Sequence, residues 1–427
     1  MTTLAITDGH VLAPDGTVGR ADVLLDQEAG TIRAVEPDLD GDRTLSAAGG
    51  LVMPGLVNAH THVAMTLLRG YADDKPLDAW LQEDIWPAEA ALEPADVRAG
   101  TELGLLEMIK SGTTAFADMY FHMETVAEAV AEAGLRARLS HGIVTVGKDE
   151  AGAEADVEAG IEFAQDVAGT HERIEPAISP HSLTTVSEDA LERTIAAARE
   201  QGVPLHVHAN ETREEVAPIV EEHGVRPLEY AARRGLLEPE DFLAHGVHVD
   251  ETEIDLLAER GPSVVHCPAS NMKLASGMAP VETMAQAGVA LALGTDGAAS
   301  NNDLDMFGEM RDAAMLGKLA ADDAAAVPAE TVVEMATSGG AQALSLPGGR
   351  VEPGAAADLI VVDFEAPRLT PVHDYVSHLA YAASGSDVRH TVVDGQVLMA
   401  DREVQPLDEP AVRDRAQERA RTLSDRV

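Results

Sequence analysis

Residues 56–62 read LVNAHTH, an apolar run that ends in two histidines two positions apart. Seven more segments share its form: TTAFADM (113–119), LRARLSHG (135–142), EPAISPHS (175–182), VPLHVHANE (203–211), FLAHGVHV (242–249), SVVHCPAS (263–270) and VALALGTDG (289–297). Each is short and apolar, and each carries polar residues at its C-terminal end. Ala- and Glu-rich stretches of helical character separate them, the alternation that βα units and a parallel sheet require. Eight such units predict an α/β fold of the (β/α)8 type, which gathers its active site at the C-terminal ends of its strands. Turns are polar after any strand, but turn chemistry favours Gly, Ser and Asn. His, Asp and Glu at these ends point to chemistry instead.

Outside this middle the texture changes. LAITDGHVLAPDG and ADVLLDQEAGTIRAVEP near the start, and GRVEPGAAADLIVVDFE (349–365) and VRHTVVDGQVLMADREV (388–404) near the end, read as strands joined at Asp-Gly and Pro-Gly turns. The expected organisation is a composite β-sandwich from residues 1–55 and 346–427 beside a catalytic barrel over 56–345. EPAVRDRAQERARTLSDRV, at the C-terminus, reads as an amphipathic surface helix.

Composition narrows the function. Of 427 residues, 74 are Asp or Glu and 30 Lys or Arg, a net charge of −44 that excludes nucleic acid as a partner. Such a surface repels itself strongly unless salt screens it, and the acidic, lysine-poor composition resembles that of proteins from halophilic archaea. The single cysteine, Cys267, rules out an intrachain disulfide and reads as an inert buried thiol. No basic and apolar leader opens the sequence and no window suits a membrane span, so a soluble, cytoplasmic protein is expected. Neither a serine nucleophile elbow nor a lysine-bearing phosphate loop is present.

The chemistry-bearing residues form a pattern. On a strand, His60 and His62 share one face, and imidazole is a common ligand of divalent metals. His206 and His208 also share a face, so spacing does not choose between them. His208, at the very end and three residues before Glu211, is the preferred ligand; His206 lies deeper and is expected to be satisfied in the core. Strand six brings His245 and strand eight Asp296 to the same mouth. Two or three histidines with a carboxylate leave room for a water whose pKa a zinc ion lowers to about 7.

The frame PGLVNAHTH, HxxE, LAH and GTDG resembles the amidohydrolase superfamily over nearly the whole chain. The stretch MTLLRGYADDKPLDAWLQEDIWPAEA (65–90) is similar to its 5-methylthioadenosine and S-adenosylhomocysteine deaminase branch. The resemblance implies one zinc or iron ion per subunit held by His60, His62, His208 and Asp296. It makes Glu211 a proton shuttle to the purine ring and His245 the residue that orients the attacking water. Glu89 and His181 match substrate-contacting positions, and Trp80 and His141 are further candidates for substrate contact. The relatives also imply a homo-oligomer and a small nucleoside as partner. Those that take the amino-acid tail of S-adenosylhomocysteine carry arginine near the end of strand three and in the loop after it, where this chain has Ser140, His141 and Lys148. Arginine suits bidentate carboxylate binding and His and Lys do not replace it, so 5-methylthioadenosine, 5′-deoxyadenosine or adenosine are expected to serve as well or better. Two rivals stand: the same machinery on guanine, cytosine or a triazine, and an inactive barrel kept as a binding scaffold.

Overall fold

A computed structural model describes residues 2–427. The parallel strands fall at Leu56–Thr61, Thr113–Tyr120, Arg136–Ile143, Ile174–Pro176 with Ser179–Pro180, His206–Ala209, Phe242–His245, Ser263–His266 and Ala290–Leu293, numbered one to eight below. Strands one to four form one ladder and five to eight another, each in chain order and parallel. A single continuous ladder is not formed. Between strands four and five the pairing reduces to the bridges Ile178–Leu205 and Ser182–His208, where Pro176, Pro180 and Pro204 lack the N–H that a ladder needs. Strand eight reaches strand one through the Asp296 N–H, which donates to the His60 carbonyl at 3.0 Å. Gly294 permits that approach, since a Cβ there would lie 2.8 Å from the His60 backbone nitrogen and oxygen.

Helices between the strands begin and end where local chemistry dictates. Ser187, Thr212 and Asp250 accept the first free N–H groups of the helices Glu188–Gln201, Arg213–His223 and Glu251–Arg260, and Gly202, Gly224 and Gly261 end them in the left-handed conformation. The segment 77–90 is helical with a π turn at Leu81–Ile85, and it carries Trp80, Trp86 and Glu89 across the mouth of the strands.

Strands from the two chain ends share a seven-stranded sheet, in which Gly50–Pro54 pairs with Leu359–Asp363. A second sheet of four N-terminal strands faces the same buried cluster, which unites Leu4, Ile6, Val23 and Leu25 with Val52, Leu359, Val361 and Val392. The last helix, Glu409–Ser424, leaves these sheets and packs on Pro94–Ser111, where the Arg415 Nε donates to Glu102 at 2.9 Å and Arg426 pairs with Asp96.

Candidate active site

Strand geometry turns the residues at the C-terminal ends inward around one cavity of about 200 Å³, whose wall includes His62, Glu89, His181, His208, Glu211, His245 and Asp296. Four groups converge: one donor atom each of His60, His208, His245 and Asp296 lie within 4.8 Å of one another, all buried. His62 lies beside this group, its Nε2 3.2 Å from the Asp296 Oδ1, while the His60 Nε2 lies 3.4 Å from the same oxygen. His245 and Asp296 hold their positions with φ of 76° and 63°, the left-handed region that side chains rarely take and that marks functional turns.

The ring nitrogens decide what these histidines offer. The His62 Nδ1 lies 2.6 Å from the Met119 carbonyl and the His208 Nδ1 2.7 Å from the His181 carbonyl. A carbonyl only accepts, so both rings carry a proton on Nδ1 and turn Nε2 toward the cavity; against burial, the Asp296 carboxylate raises His62 to about 9, and a metal ion would take the place of the second proton there. The His60 Nε2, fully buried, has no hydrogen-bond partner. A buried polar atom without a partner is expensive, and a cation held among these ring nitrogens and the Asp296 carboxylate would satisfy it. The donor set therefore fits a divalent metal.

Asp296 is held from behind. The Ser270 and Ser300 hydroxyls donate to its Oδ2 at 2.6 and 2.7 Å, which turns Oδ1 toward the histidines. Burial opposes its charge, but the His60 and His62 rings outweigh that and keep its carboxyl well below the usual range. Glu211 behaves in the opposite way. Burial raises its pKa, and the Asp296 charge adds to the rise against the pull of His245. Its Oε1 accepts from the Ser276 hydroxyl at 3.0 Å, and its Oε2 lies 3.6 Å from the His245 Nε2. The His245 Nδ1 is 3.0 Å from the Asn271 Oδ1. Burial works against a charge on His245, but Glu211 and Asp296 raise it. His181, lowered to about 3 by burial and by the neighbouring histidines, is neutral. The site thus sets a carboxylate held toward its ionised form beside one pushed toward its protonated form, the contrast acid–base catalysis uses.

Two predicted residues are placed differently from the rest. Trp80 shows a face to the cavity but is 3% exposed and tied through Nε1 to the Ala72 carbonyl at 3.0 Å. His141 lies off the cavity wall. Period-two alternation turns Gly142 inward and His141 toward Asp156, whose Oδ1 is 3.1 Å from the His141 Nε2 and whose Oδ2 is 2.8 Å from the Lys148 Nζ. Sequence reading missed Ser270 and Ser276 as site residues, since polar loop residues usually face solvent. Their one signal was position, in the segment after strand seven. Trp86 and Phe121 also line the cavity and were not foreseen.

The amidohydrolase family model matches residues 51–398. This chain belongs to that family. It is 66% identical over 426 residues to the 5-methylthioadenosine/S-adenosylhomocysteine deaminase of Halobacterium salinarum, covering 100% of this chain and 99% of that one. It is 45% identical to the 5′-deoxyadenosine deaminase of Methanosarcina mazei, covering both chains fully at 100%. Among solved structures, an adenosine deaminase from Xanthomonas campestris with bound zinc superimposes with a TM-score of 0.95 at 39% identity, over 99% of this chain and 98% of that one. As a member of a family of metal-dependent hydrolases with these relatives, the chain is an enzyme of the aminohydrolase kind.

Proposed function

We propose that this enzyme hydrolytically deaminates adenosine-type nucleosides to the inosine analogue and ammonia. The observation that carries the reading is the pair of carboxylates flanking the histidine cluster, Asp296 held low and Glu211 pushed up, on a cavity of a chain whose relatives are named for deamination of adenosine derivatives. His60, His62, His208 and Asp296 are the proposed ligands of one divalent ion, zinc first and iron second. His62 is preferred over His245 because its Nδ1 is fixed by a carbonyl, whereas His245 faces an asparagine amide and an acid. Zinc content in His62→Ala and His245→Ala checks that choice: loss is expected in the first and retention in the second. When bound, the ion brings the pKa of a water in the site toward about 7.

The protein groups then divide the proton transfers. Asp296 accepts a proton from the attacking water, and His245, beside Glu211, orients that water toward C6 of the ring. Glu211 gives its proton to the adjacent ring nitrogen, so that addition does not leave charge there. A proton passed to the amino group lets ammonia leave. Glu89, half-buried and pushed up to about 7 by burial, and neutral His181 are the proposed contacts to the rest of the nucleoside.

The 5′ substituent is proposed to be small and uncharged. The cavity wall carries Asp78, Glu89, Glu214 and Glu215 in addition to the central acids, and no lysine or arginine; near the end of strand three, Asp156 already neutralises Lys148 and engages His141. A carboxylate tail finds no free cation there. We infer a closed (β/α)8 barrel over 56–345 and a sandwich from residues 1–55 and 346–427, and a homo-oligomer of soluble subunits; among the described residues no helix is long and apolar enough to cross a membrane. The test is ammonia release and the adenine-to-hypoxanthine ultraviolet shift with zinc-loaded protein in concentrated KCl. Turnover is expected for 5-methylthioadenosine, 5′-deoxyadenosine and adenosine, with S-adenosylhomocysteine slower. A flat response to all four, with zinc bound and the protein folded, rejects the reading in favour of another ring, and guanine, cytosine and a triazine complete the panel.

A further inference from the structure

Three histidines are proposed as metal ligands, and each needs something to hold the ring's second nitrogen. For His62 and His208 that partner is a backbone carbonyl. His60 has none. Its Nδ1 lies 2.8 Å from the Nε2 of His206, a side chain two residues before His208 on the same strand. His206 is fully buried, its ring stacks on Phe242 at 4.2 Å between centroids, and its own Nδ1 has no hydrogen-bond partner. The deeper histidine of the His206–His208 pair is thus more than a packed core residue: it faces the one ligand ring whose orientation no carbonyl fixes.

We propose that His206 is the positioning residue that sets the tautomer and plane of His60. For the His60 Nε2 to offer a lone pair, the proton of that ring must sit on Nδ1, and Nδ1–H then donates to the His206 Nε2. His206 must in turn keep its single proton on Nδ1, the atom the structure leaves without an acceptor. Had His206 carried its proton on Nε2, it would donate to the His60 Nδ1 and push the His60 proton onto Nε2, where it would block the metal. The Phe242 stack and the near-perpendicular crossing of the two imidazoles, 87° apart in plane, hold this relation. Partners of this outer kind typically contribute about 10–100-fold to metal affinity. His206 carries out with a replaceable side chain what the backbone does for the other two ligands.

The inference rests on the metal reading of the site, and its test reads metal rather than turnover. Zinc-loaded wild type, His206→Gln and His206→Met are mixed with excess chelator and zinc release is followed with a colorimetric dye. Gln places an acceptor oxygen near the position of Nε2; Met fills the space without offering a comparable acceptor. Release is expected to quicken by about 10–100-fold in His206→Met and to stay within about threefold of wild type in His206→Gln. Melting of the metal-free proteins separates this from loose packing, since a purely structural role would lower both melting points without restoring slow release in the Gln variant. Equal release from folded His206→Met and wild type overturns the assignment. Should His206→Met fail to fold, nitrogen-15 spectra of histidine-labelled, zinc-loaded wild type decide: a proton on the His206 Nδ1 is expected, and one on its Nε2 overturns the proposal. If wild type takes up no zinc at all, it is the metal reading that fails.

Discussion

Buried charge is handled in opposite ways at the two ends of the parallel strands. At the N-terminal end each buried carboxylate meets an arginine. Asp358, 1% exposed, accepts from the Arg136 Nε at 2.7 Å, and Arg136 reaches on to Asp394 at 2.8 Å. Fully buried Asp241 receives the Arg199 Nη1 at 2.9 Å and the N–H groups of Leu205, Leu237 and Glu238 at 2.9 to 3.0 Å. At the C-terminal end the cavity wall has no lysine or arginine, and Asp296, Glu211 and Glu89 are left with histidines, hydroxyls or each other. The first arrangement is complete in itself. The second is completed only by what enters the cavity, and that incompleteness marks the functional end more sharply than burial does.

Breaking the incomplete end should abolish activity while sparing the fold. Asp296→Asn removes both a proposed ligand charge and the base, and kcat is expected to fall about 10⁴-fold, the upper range for one acid–base group, with reduced zinc in the purified protein. Steady-state kinetics and metal analysis check it; a variant that keeps zinc and loses less than tenfold would remove Asp296 from both roles. Breaking the complete end should do the reverse. Arg136→Met leaves Asp358 buried without its cation, and a loss of about 3–5 kcal/mol in unfolding free energy is expected from denaturant titration, with kcat per folded molecule unchanged. Adding Asp358→Leu should restore much of that loss, because the cost lies in the stranded charge.

Glu211 sharpens the contrast, since the two kinds of effect should there have opposite signs. Glu211→Gln cannot give up a proton, and kcat is expected to fall about 10²–10³-fold. Stability should move the other way. The pKa of Glu211 is raised in the folded protein, so its stabilising contribution is full below the ordinary glutamate value of about 4.3 and is lost as the pH rises through the raised value. Metal-free Glu211→Gln should therefore match wild type at acid pH and exceed it above neutrality. Denaturant titrations at pH 4.5 and 8 check this, and a variant less stable than wild type at pH 8 would show that Glu211 is paired for structure as Asp358 is.

These two ends were not equally legible in the sequence. His60, His62, His208, Glu211, His245 and Asp296 could be read as one site because strand ends are periodic and a parallel α/β fold collects them. Ser270 and Ser276 could not, since each matters through one hydrogen bond across loops that only the folded chain brings together. His141 sits one position before the cavity-facing Gly142 and turns to Asp156, a register that composition at the strand end does not reveal. The Arg136–Asp358 pair spans 222 residues of sequence, and no local pattern announces it. The break between strands four and five sits at Pro176, Pro180 and Pro204, whose missing N–H groups the regular spacing of the eight segments does not reveal.

A third class of charge, on the surface, supplies the smallest expected effect. The net charge of −44 destabilises the compact state through self-repulsion, and the Debye length falls from about 10 Å at 0.1 M salt to about 3 Å at 1 M. The melting temperature of wild type should thus rise with KCl. The Arg136–Asp358 pair is buried, where mobile ions screen little, so the stability difference between wild type and Arg136→Met should stay nearly constant over the same range. Denaturant titrations of both proteins at 0.2 and 2 M KCl measure that difference directly. A gap that closes with salt would mean that solvent reaches the pair, and the N-terminal end would then owe its stability to the same screened field as the surface. A constant gap keeps three mechanisms apart in one chain: repulsion that salt relieves, pairing that salt leaves alone, and a mouth whose charges wait for metal and substrate.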